Sequence, residues 1–433
     1  MDWKESYNKK LVSVEDAAAK IESGDRVWIN CTTAIPKDLC DAIADNYLKL
    51  KDVNMFSALN IYPLKFYTSS EYIGHINYHS LFLGPYERAY ERAGNVDLNS
   101  VQFSKVGQYV MGHGPDQLNL DTFISDATPP DEDGYMYFGT MGVAAGLIWE
   151  ATRKRIIQVN SKQYKVSAKH GHRIHVDDVD WICEKDHEVP EFPKDEPSAV
   201  DKAIAGLLLP YIPDGACLQI GLGGLANAIG YGITGKKDLS VHTEMFTDSM
   251  LQMVKSGALT GKKYAGFGVG SHELCSYIAE GNVELGPIWE VNNPITASKN
   301  DNFIAINSCL MSDLTGQICS ESIGHRNYSG IGGQMDYIRT ASLSNGGKSF
   351  LCMSSTSTDK KGTVRSNIVL NLPLGAVVTT PRTEVMYAAT EYGVANIYNK
   401  SIPERAELLI GIAHPDFRAQ LRSEARAVGI LRK

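Results

Sequence analysis

A glycine-rich turn and a single carboxylate are the residues of this chain whose types and spacing could do covalent chemistry. The turn reads Gly221, Leu222, Gly223, Gly224, Leu225, and Glu244 follows it within the segment 242–245. Backbone N–H groups of residues 223–225, near the start of a helix, would converge on a small volume and favour negative charge there. An oxyanion needs such a place, and a carboxylate held nearby could attack a carbonyl bound in it.

The same residues also fit a dinucleotide-binding unit. The turn satisfies the pattern G-x-G-x-x-G/A, and Glu244 lies 23 residues after Gly221, where a nicotinamide enzyme would place its ribose-binding acid. A third interpretation is structural only, with a tight strand-to-helix turn and Glu244 exposed at a strand end. These residues alone leave the three interpretations open.

The turn needs a strand before it, and a helix and a second strand after it. Apolar residues at 216–220 and from Leu239 onward predict the two strands, and the stretch around Ala226 predicts the helix between them. We expect this order of elements to deliver Glu244 beside the turn.

A similar order is predicted near the N-terminus. After a helix capped by Ser13, the sequence predicts a strand at 26–30, a helix at 37–44 and a strand at 53–56. Placing Gly24 on Gly215 aligns the two segments, with one gap of a single residue. The sequence therefore predicts two halves of similar topology.

A chain of 433 residues is too long to pack around one ordinary hydrophobic core, so we expect two domains of roughly 200 residues each. Further strands predicted at 303–307 and 377–380 extend the α/β alternation through the second half. The charged, proline-containing stretch at 183–197 is the best linker. We predict an N-terminal domain over 1–190 and a C-terminal domain over 191–433 that carries Glu244.

Composition excludes several classes of protein. Hydrophobic content of 43%, charged content of 21% and a net charge of -8 are typical of a soluble globular protein without a basic stripe, which argues against nucleic acid as a partner. The N-terminal residues are polar, and no run approaches the ~18 apolar residues of a membrane span. We expect a cytoplasmic protein without a membrane partner. Its eight scattered cysteines are expected to be buried reduced thiols.

Other clusters are weaker candidates for a site. His170, His172 and His175 could gather a metal, but no carboxylate or cysteine stands among them at a familiar spacing, so we expect no metal. No G-x-S-x-G elbow is present, which argues against a serine hydrolase. The tyrosine- and histidine-rich stretch at 60–115 would suit an amphipathic wall or a dimer surface equally well.

Several further motifs extend along nearly the whole chain. With the turn and the segment His242-Thr-Glu-Met245, they resemble the acetyl-CoA hydrolase/transferase family, in particular its 4-hydroxybutyrate and butyryl-CoA:acetate CoA-transferase branch. These motifs are SGDRV at 23–27, PPDxxGY at 129–135, INSCL at 306–310, GIGGQMD at 330–336, TEYGVA at 390–395 and IAHPDFR at 412–418.

The resemblance implies two similar open α/β/α domains that face each other across a cleft, and a ping-pong transfer of CoA between a short-chain acyl-CoA and a carboxylate such as acetate. On this chain it implies that Glu244 is the nucleophile and passes through a glutamyl-CoA thioester. The turn at 221–225, Leu310 and Gly333 match the family's CoA and oxyanion contacts, and Glu391 is implied to support the site from behind. A homodimer is also implied, with no cofactor other than the substrate coenzyme A.

Two alternatives to a CoA-transferase stay open. In an acyl-CoA hydrolase, water instead of a carboxylate would reopen the intermediate. In an NAD-dependent oxidoreductase, Gly221, Gly223 and Glu244 would bind the cofactor. The stretch at 60–115 departs most from the pattern expected of the branch, which leaves the acyl group open.

Overall fold

A computed structural model describes residues 2–92, 94–111, 115–142, 145–166, 172–192 and 195–432. The chain forms two compact units, each assembled from separate segments. The first unit contains Met1–Pro193, Glu244–Phe246 and Tyr264–Val291, and the second contains Lys194–Thr243, Thr247–Lys263 and Asn292–Lys433. Both are α/β units, as expected. The division at residues 190 and 191 and the cleft between domains stay predictions.

The first sheet has seven parallel strands in the order β4-β3-β2-β1-β5-β6-β7. Its inner strands are almost wholly buried, as a parallel sheet with covered faces requires. The strands are β1 (Arg26–Ile29), β2 (Val53–Ser57), β3 (Ile76–Ser80), β4 (Asp97–Leu98), β5 (Thr122–Ala127), β6 (Lys154–Val159) and β7 (Trp181–Glu184).

The second sheet has eight strands in the order β11-β10-β9-β8-β12-β13-β14-β15, and β15 is antiparallel to β14. The strands are β8 (Cys217–Ile220), β9 (Leu239–Phe246), β10 (Leu259–Gly268), β11 (Glu284–Leu285), β12 (Phe303–Ser308), β13 (Lys348–Cys352), β14 (Tyr387–Thr390) and β15 (Gly393–Asn396).

Sixteen α-helices lie within the described ranges. They are α1 (Trp3–Lys10), α2 (Val14–Ala18), α3 (Lys37–Asp45), α4 (Lys65–Thr68), α5 (Pro85–Tyr90), α6 (Val106–Met111), α7 (Ala145–Ala151), α8 (Ala199–Leu208), α9 (Gly224–Gly232), α10 (Asp248–Lys255), α11 (His272–Tyr277), α12 (Ile288–Val291), α13 (Pro294–Ala297), α14 (Gln334–Leu343), α15 (Ile402–Ile412) and α16 (Pro415–Ala427). The predicted cap holds: Ser13 accepts a hydrogen bond from the Asp16 N–H at the start of α2.

Short two- and three-stranded elements complete the described structure. Tyr135–Tyr137 pairs with Arg173–His175 in the first unit. The second unit adds the strands Met311–Asp313, Ile318–Cys319 and Ile368–Val369, the hairpin Ser322–Ile323 with Arg326–Asn327, and the hairpin Thr356–Thr358 with Val364–Ser366.

The predicted internal repeat is confirmed and is longer than expected. In the first sheet β1 lies between β2 and β5, and in the second sheet β8 lies between β9 and β12. The seven strands of the first sheet have the same spatial order as the first seven of the second. The two glycines used for the alignment, Gly24 and Gly215, both have positive φ angles, 84° and 75°.

The tyrosine-rich stretch lies mainly in the core of the first unit. Tyr67 and Tyr78 are fully buried, and their rings lie 5.2 Å apart against Phe66. The Tyr78 hydroxyl donates to the buried Glu87 carboxylate at 2.6 Å. This stretch therefore stabilises the fold through packing, a role that neither interpretation from the sequence included.

The prediction of a strand at 377–380 is wrong. Only Thr380 forms a β-bridge, to Ile318, and the Val377 N–H donates to the Ser322 side chain. The Val377 N–H is thus satisfied by a side chain, and the N–H groups of Thr379 and Thr380 share the Ile318 carbonyl, so the run of β-branched residues forms no ladder. Val377 and Val378 are exposed.

Candidate active site

The glycine-rich turn joins β8 to α9, and two of its glycines have a clear structural reason. Gly223 has φ of 100°, a conformation that side chains with a Cβ rarely adopt. A Cβ on Gly224 would lie 2.5 Å from the Asp201 carboxylate, which caps the start of α8 through Ser198. The turn therefore depends on glycine for its own backbone and for the close approach of α8.

The turn also presents backbone donors. Its first residue is tied to the sheet, since the Gly221 N–H donates to the Ile306 carbonyl at 3.0 Å. For the N–H groups of residues 222–225, the described parts of the chain supply no acceptor. Residues 221–224 are partly exposed, and the N-terminus of α9 adds the positive end of its dipole. This arrangement suits an anion or an oxyanion.

The turn lies at the point of the second sheet where the order of adding strands reverses. From β8 the chain continues to β9 on one side, whereas β12 lies on the other side of β8. In open α/β sheets ligands bind at such a switch point, outside the carboxyl ends of the strands. Leu310 follows the end of β12 by two residues, and its N–H donates to the Cys319 carbonyl.

A buried amide pair joins the two strands at this switch point. Gln219 on β8 and Asn307 on β12 exchange hydrogen bonds of 3.1 and 2.9 Å. The sequence analysis missed this pair, although the one polar residue in the otherwise apolar β8 was the available signal. The pair fixes the strand that carries the turn against its neighbour.

Gly333 is the N-cap residue of α14, and Gly332 before it has a φ of 55°. Because α14 connects the parallel neighbours β12 and β13, it begins at the carboxyl edge of the second sheet. The turn at 221–225, Leu310 and Gly333 therefore share this edge of the second sheet.

Glu244 is the sixth residue of the eight-residue strand β9. The register pairs Leu218 with Val241, so Gly221 and Glu244 each lie three positions after a paired residue. Glu244 is half-buried between the buried residues Thr243 and Met245. The structure thus places this carboxylate in the last part of a central strand, as predicted.

Glu391 lies in the turn between β14 and β15. Its carboxylate accepts hydrogen bonds from the backbone N–H and the hydroxyl of Ser355, at 2.9 and 2.6 Å. Ser355 follows the end of β13, so Glu391 ties the β14–β15 hairpin to the segment after β13.

The three histidines considered for a metal do not gather in the described ranges. His172 contacts the Leu285 carbonyl through Nε2, and His175 contacts the Asp133 carbonyl. His170 lies outside the described residues. Among those that are described, no group of three potential ligands forms a metal site.

The sequence analysis also missed a buried polar cluster of the first unit. Asp126, at the end of β5, accepts hydrogen bonds from the Asn160 and Gln163 side chains and lies 3.4 Å from His187 Nε2. Burial disfavours the His187 imidazolium, but the neighbouring Asp126 carboxylate outweighs burial and raises the pKa of His187. No spacing rule links these residues, since sheet topology brings them together.

Family models and individual relatives match this chain over most of its length. The acetyl-CoA hydrolase/transferase N-terminal domain matches residues 1–192, and the corresponding C-terminal domain matches residues 270–425. The chain is 35% identical to a butyryl-CoA:acetate CoA-transferase of Anaerostipes caccae over 100% of this chain and 99% of that protein. It is 36% identical to a 4-hydroxybutyrate coenzyme A transferase of Clostridium kluyveri, over 98% of this chain and 99% of the relative.

A solved structure agrees over the full length. RipA from Yersinia pestis is 29% identical, covers 100% of both chains and superposes with a TM-score of 0.90. The chain therefore belongs to the acetyl-CoA hydrolase/transferase family.

Proposed function

We propose that this protein is a CoA-transferase that moves CoA between a short-chain acyl-CoA, of the butyryl or 4-hydroxybutyryl type, and a free carboxylate such as acetate. The observation that carries the proposal is the match along at least 98% of the chain to two relatives named for these transfers. The half-buried Glu244 on β9 supplies the carboxylate that such a reaction needs.

The proposed reaction proceeds through two covalent forms of Glu244. Its carboxylate attacks the thioester carbonyl, the C–S bond breaks, and CoA leaves as a thiolate with an acyl-glutamyl anhydride remaining. The thiolate then attacks the side-chain carbonyl carbon of Glu244 in the anhydride and releases the acyl group as a free carboxylate. The resulting glutamyl-CoA thioester is reopened by the acceptor carboxylate through the same steps in reverse.

Backbone donors at the turn would stabilise the charge that develops on the carbonyl oxygen. The N–H groups of residues 222–225 are preorganised by the φ of Gly223 and by the packing of Gly224 on α8. Loss of one donor in an oxyanion site typically costs about 10²–10³ in kcat. Leu310 and Gly333, at the same sheet edge, are proposed to contact CoA, and Glu391 to hold the neighbouring hairpin in place.

The proposal also covers cofactors, location and partners. No cofactor other than the substrate coenzyme A enters the steps above, because both bonds form and break by nucleophilic attack without redox change. We propose a cytoplasmic homodimer that contacts neither nucleic acid nor membrane. The net charge of -8 argues against nucleic acid as a partner. Within the described ranges no helix is long and apolar enough to cross a bilayer.

Acceptor dependence separates a transferase from a hydrolase. Butyryl-CoA is supplied with and without acetate, and both acetyl-CoA and free CoA are quantified. We expect acetyl-CoA to form only with acetate, and free CoA to stay near the uncatalysed level. If free CoA is released steadily, and as fast without acetate as with it, the result would contradict the transferase and support the hydrolase.

Cofactor binding tests the dinucleotide alternative. Calorimetric titration with CoA and with NAD should give binding for CoA alone. Tight NAD binding with no response to CoA would contradict the proposal and favour the oxidoreductase.

A further inference from the structure

The strand that carries Glu244 is held, within the first unit, by its neighbour β10. A Cβ on Gly266 would lie 2.9 Å from the Glu244 carbonyl oxygen, so β10 contacts the Glu244 backbone closely. Just past the end of β10, the Val269 N–H donates to the Phe246 carbonyl. The position of Glu244 therefore depends on the position of the last residues of β10.

The last residues of β10 are fixed in turn by the segment around Thr140. The Gly142 N–H donates to the Gly266 carbonyl and the Gly268 N–H donates to the Thr140 carbonyl, at 3.0 and 2.9 Å. The Thr140 hydroxyl adds a third bond, to the Gly268 carbonyl at 2.7 Å. Thr140 thus holds both the N–H and the carbonyl of the one residue that ends β10.

The Thr140 hydroxyl is itself oriented by another threonine. Thr33 Oγ1 lies 3.1 Å from Thr140 Oγ1. Because the single Thr140 proton is used on Gly268, the Thr33 hydroxyl must donate to Thr140. Both side chains are buried, where an unmade hydrogen bond costs more than it does in water.

We propose that Thr140 is a positioning residue for Glu244, oriented by Thr33 and acting through Gly268 and β10. The inference rests on the proposed role of Glu244 as the nucleophile. Thr140 makes no contact with substrate in this account. It sets the distance and angle at which the Glu244 carboxylate meets the thioester, and a displacement of about 1 Å can cost on the order of 10² in rate.

The test compares substitutions of threonine in the first unit by single-turnover formation of the glutamyl-CoA adduct. Thr140→Val keeps the shape and loses the hydroxyl, and should slow adduct formation about 10- to 100-fold with little change in KM for the acyl-CoA. Thr140→Ser restores the hydroxyl and should restore most of the rate. Thr122→Val is the matched control, since Thr122 is equally buried and its hydroxyl has no hydrogen-bond partner among the residues that the structure describes.

Each outcome decides the proposal. Adduct formation at the wild-type rate in folded Thr140→Val would overturn it, as would equal slowing in Thr122→Val. If Thr140→Val fails to fold, Thr33→Val decides, because it removes only the outer bond. A several-fold loss of rate there supports the proposal, and an unchanged rate overturns it. An adduct of the wild-type enzyme that maps elsewhere than Glu244 would refute the proposed nucleophile, which separates that failure from a failure of the proposal for Thr140.

Discussion

The carboxyl edges of the two sheets occupy the same place in a repeated topology but differ in their polar groups. In the first sheet, the loop 30–34 follows β1, and its Thr33 hydroxyl is engaged by Thr140. In the second sheet, the turn 221–225 follows β8, and the described residues offer no acceptor to its N–H groups at 222–225. The first edge is closed because residues 30–34 are buried, whereas residues 221–224 of the second edge are partly exposed and open to solvent.

The difference extends to the conformation of equivalent residues. The alignment that places Gly24 on Gly215 also places Thr32 on Gly223, and both have positive φ angles, 47° and 100°. In the first edge a β-branched residue occupies this strained position, and in the second a glycine does. The repeat therefore preserved the order of the strands while the residue and its backbone conformation at this position diverged, as expected when function resides in the site and not in the fold.

The largest effect is expected from Glu244. Glu244→Gln keeps the size of the side chain and removes the nucleophilic oxygen, so the transfer rate should fall by at least about 10³-fold. Glu407→Gln is the control, because Glu407 forms an exposed ion pair with Arg422 on the terminal helices. Transfer is measured as acetate-dependent acetyl-CoA formation. Full activity in Glu244→Gln would break the account.

Exchanging the residues of the two edges tests the comparison itself. Gly223→Ala forces a Cβ into φ of 100°, so it should lower the free energy of unfolding by about 1–2 kcal/mol and slow transfer at least tenfold. Thr32→Gly relieves strain but adds freedom to the unfolded chain, so its change should stay within about 1 kcal/mol. Denaturant unfolding and the transfer assay check both variants. Equal loss of transfer in the two would show that the edges act alike.

A smaller, pH-dependent effect is expected from the closed edge. Because the folded-state pKa of His187 is raised, its contribution to stability is fully present below about pH 6.5 and is lost as pH rises through the folded-state value. Wild type should exceed His187→Gln by about 1–2 kcal/mol at pH 6, and the difference should shrink by pH 9. Urea unfolding of both proteins at several pH values measures it. A difference that grows with pH would contradict the assignment.

The smallest effect is a lack of reaction. Burial raises the pKa of Cys31, in the loop 30–34, to about 12, and that of Cys217, on β8, to about 11. All eight cysteines are buried thiols. At pH 8 the native protein should resist alkylation by iodoacetamide, and all eight should react after denaturation. Rapid labelling of Cys31 in the native protein would mean that the first edge is open.

The sequence alone predicted the repeat and the place of Glu244 on β9, because both rest on local patterns. Apolar runs defined β1, β8 and β9, and glycine at 223 reflects a local backbone requirement. The clusters around Asp126 and Thr140 could not be predicted, since residues far apart in the chain meet only through the sheet: Asp126 and Asn160 are 34 positions apart, and Thr33 and Thr140 are 107 positions apart. The wrong prediction at 377–380 shows the opposite limit, because β-branched residues favour a strand there and yet only Thr380 forms a bridge while the Val377 N–H binds a side chain.

In the proposed reaction, Glu244 carries CoA between the donor and the acceptor. The most direct test of this step is intact-protein mass spectrometry after incubation with butyryl-CoA without acceptor, followed by borohydride reduction and peptide mapping. We expect a CoA adduct before reduction and, after reduction, an alcohol in place of the side-chain carboxylate of Glu244. An adduct at any other residue, or no adduct in enzyme that transfers CoA, would contradict it.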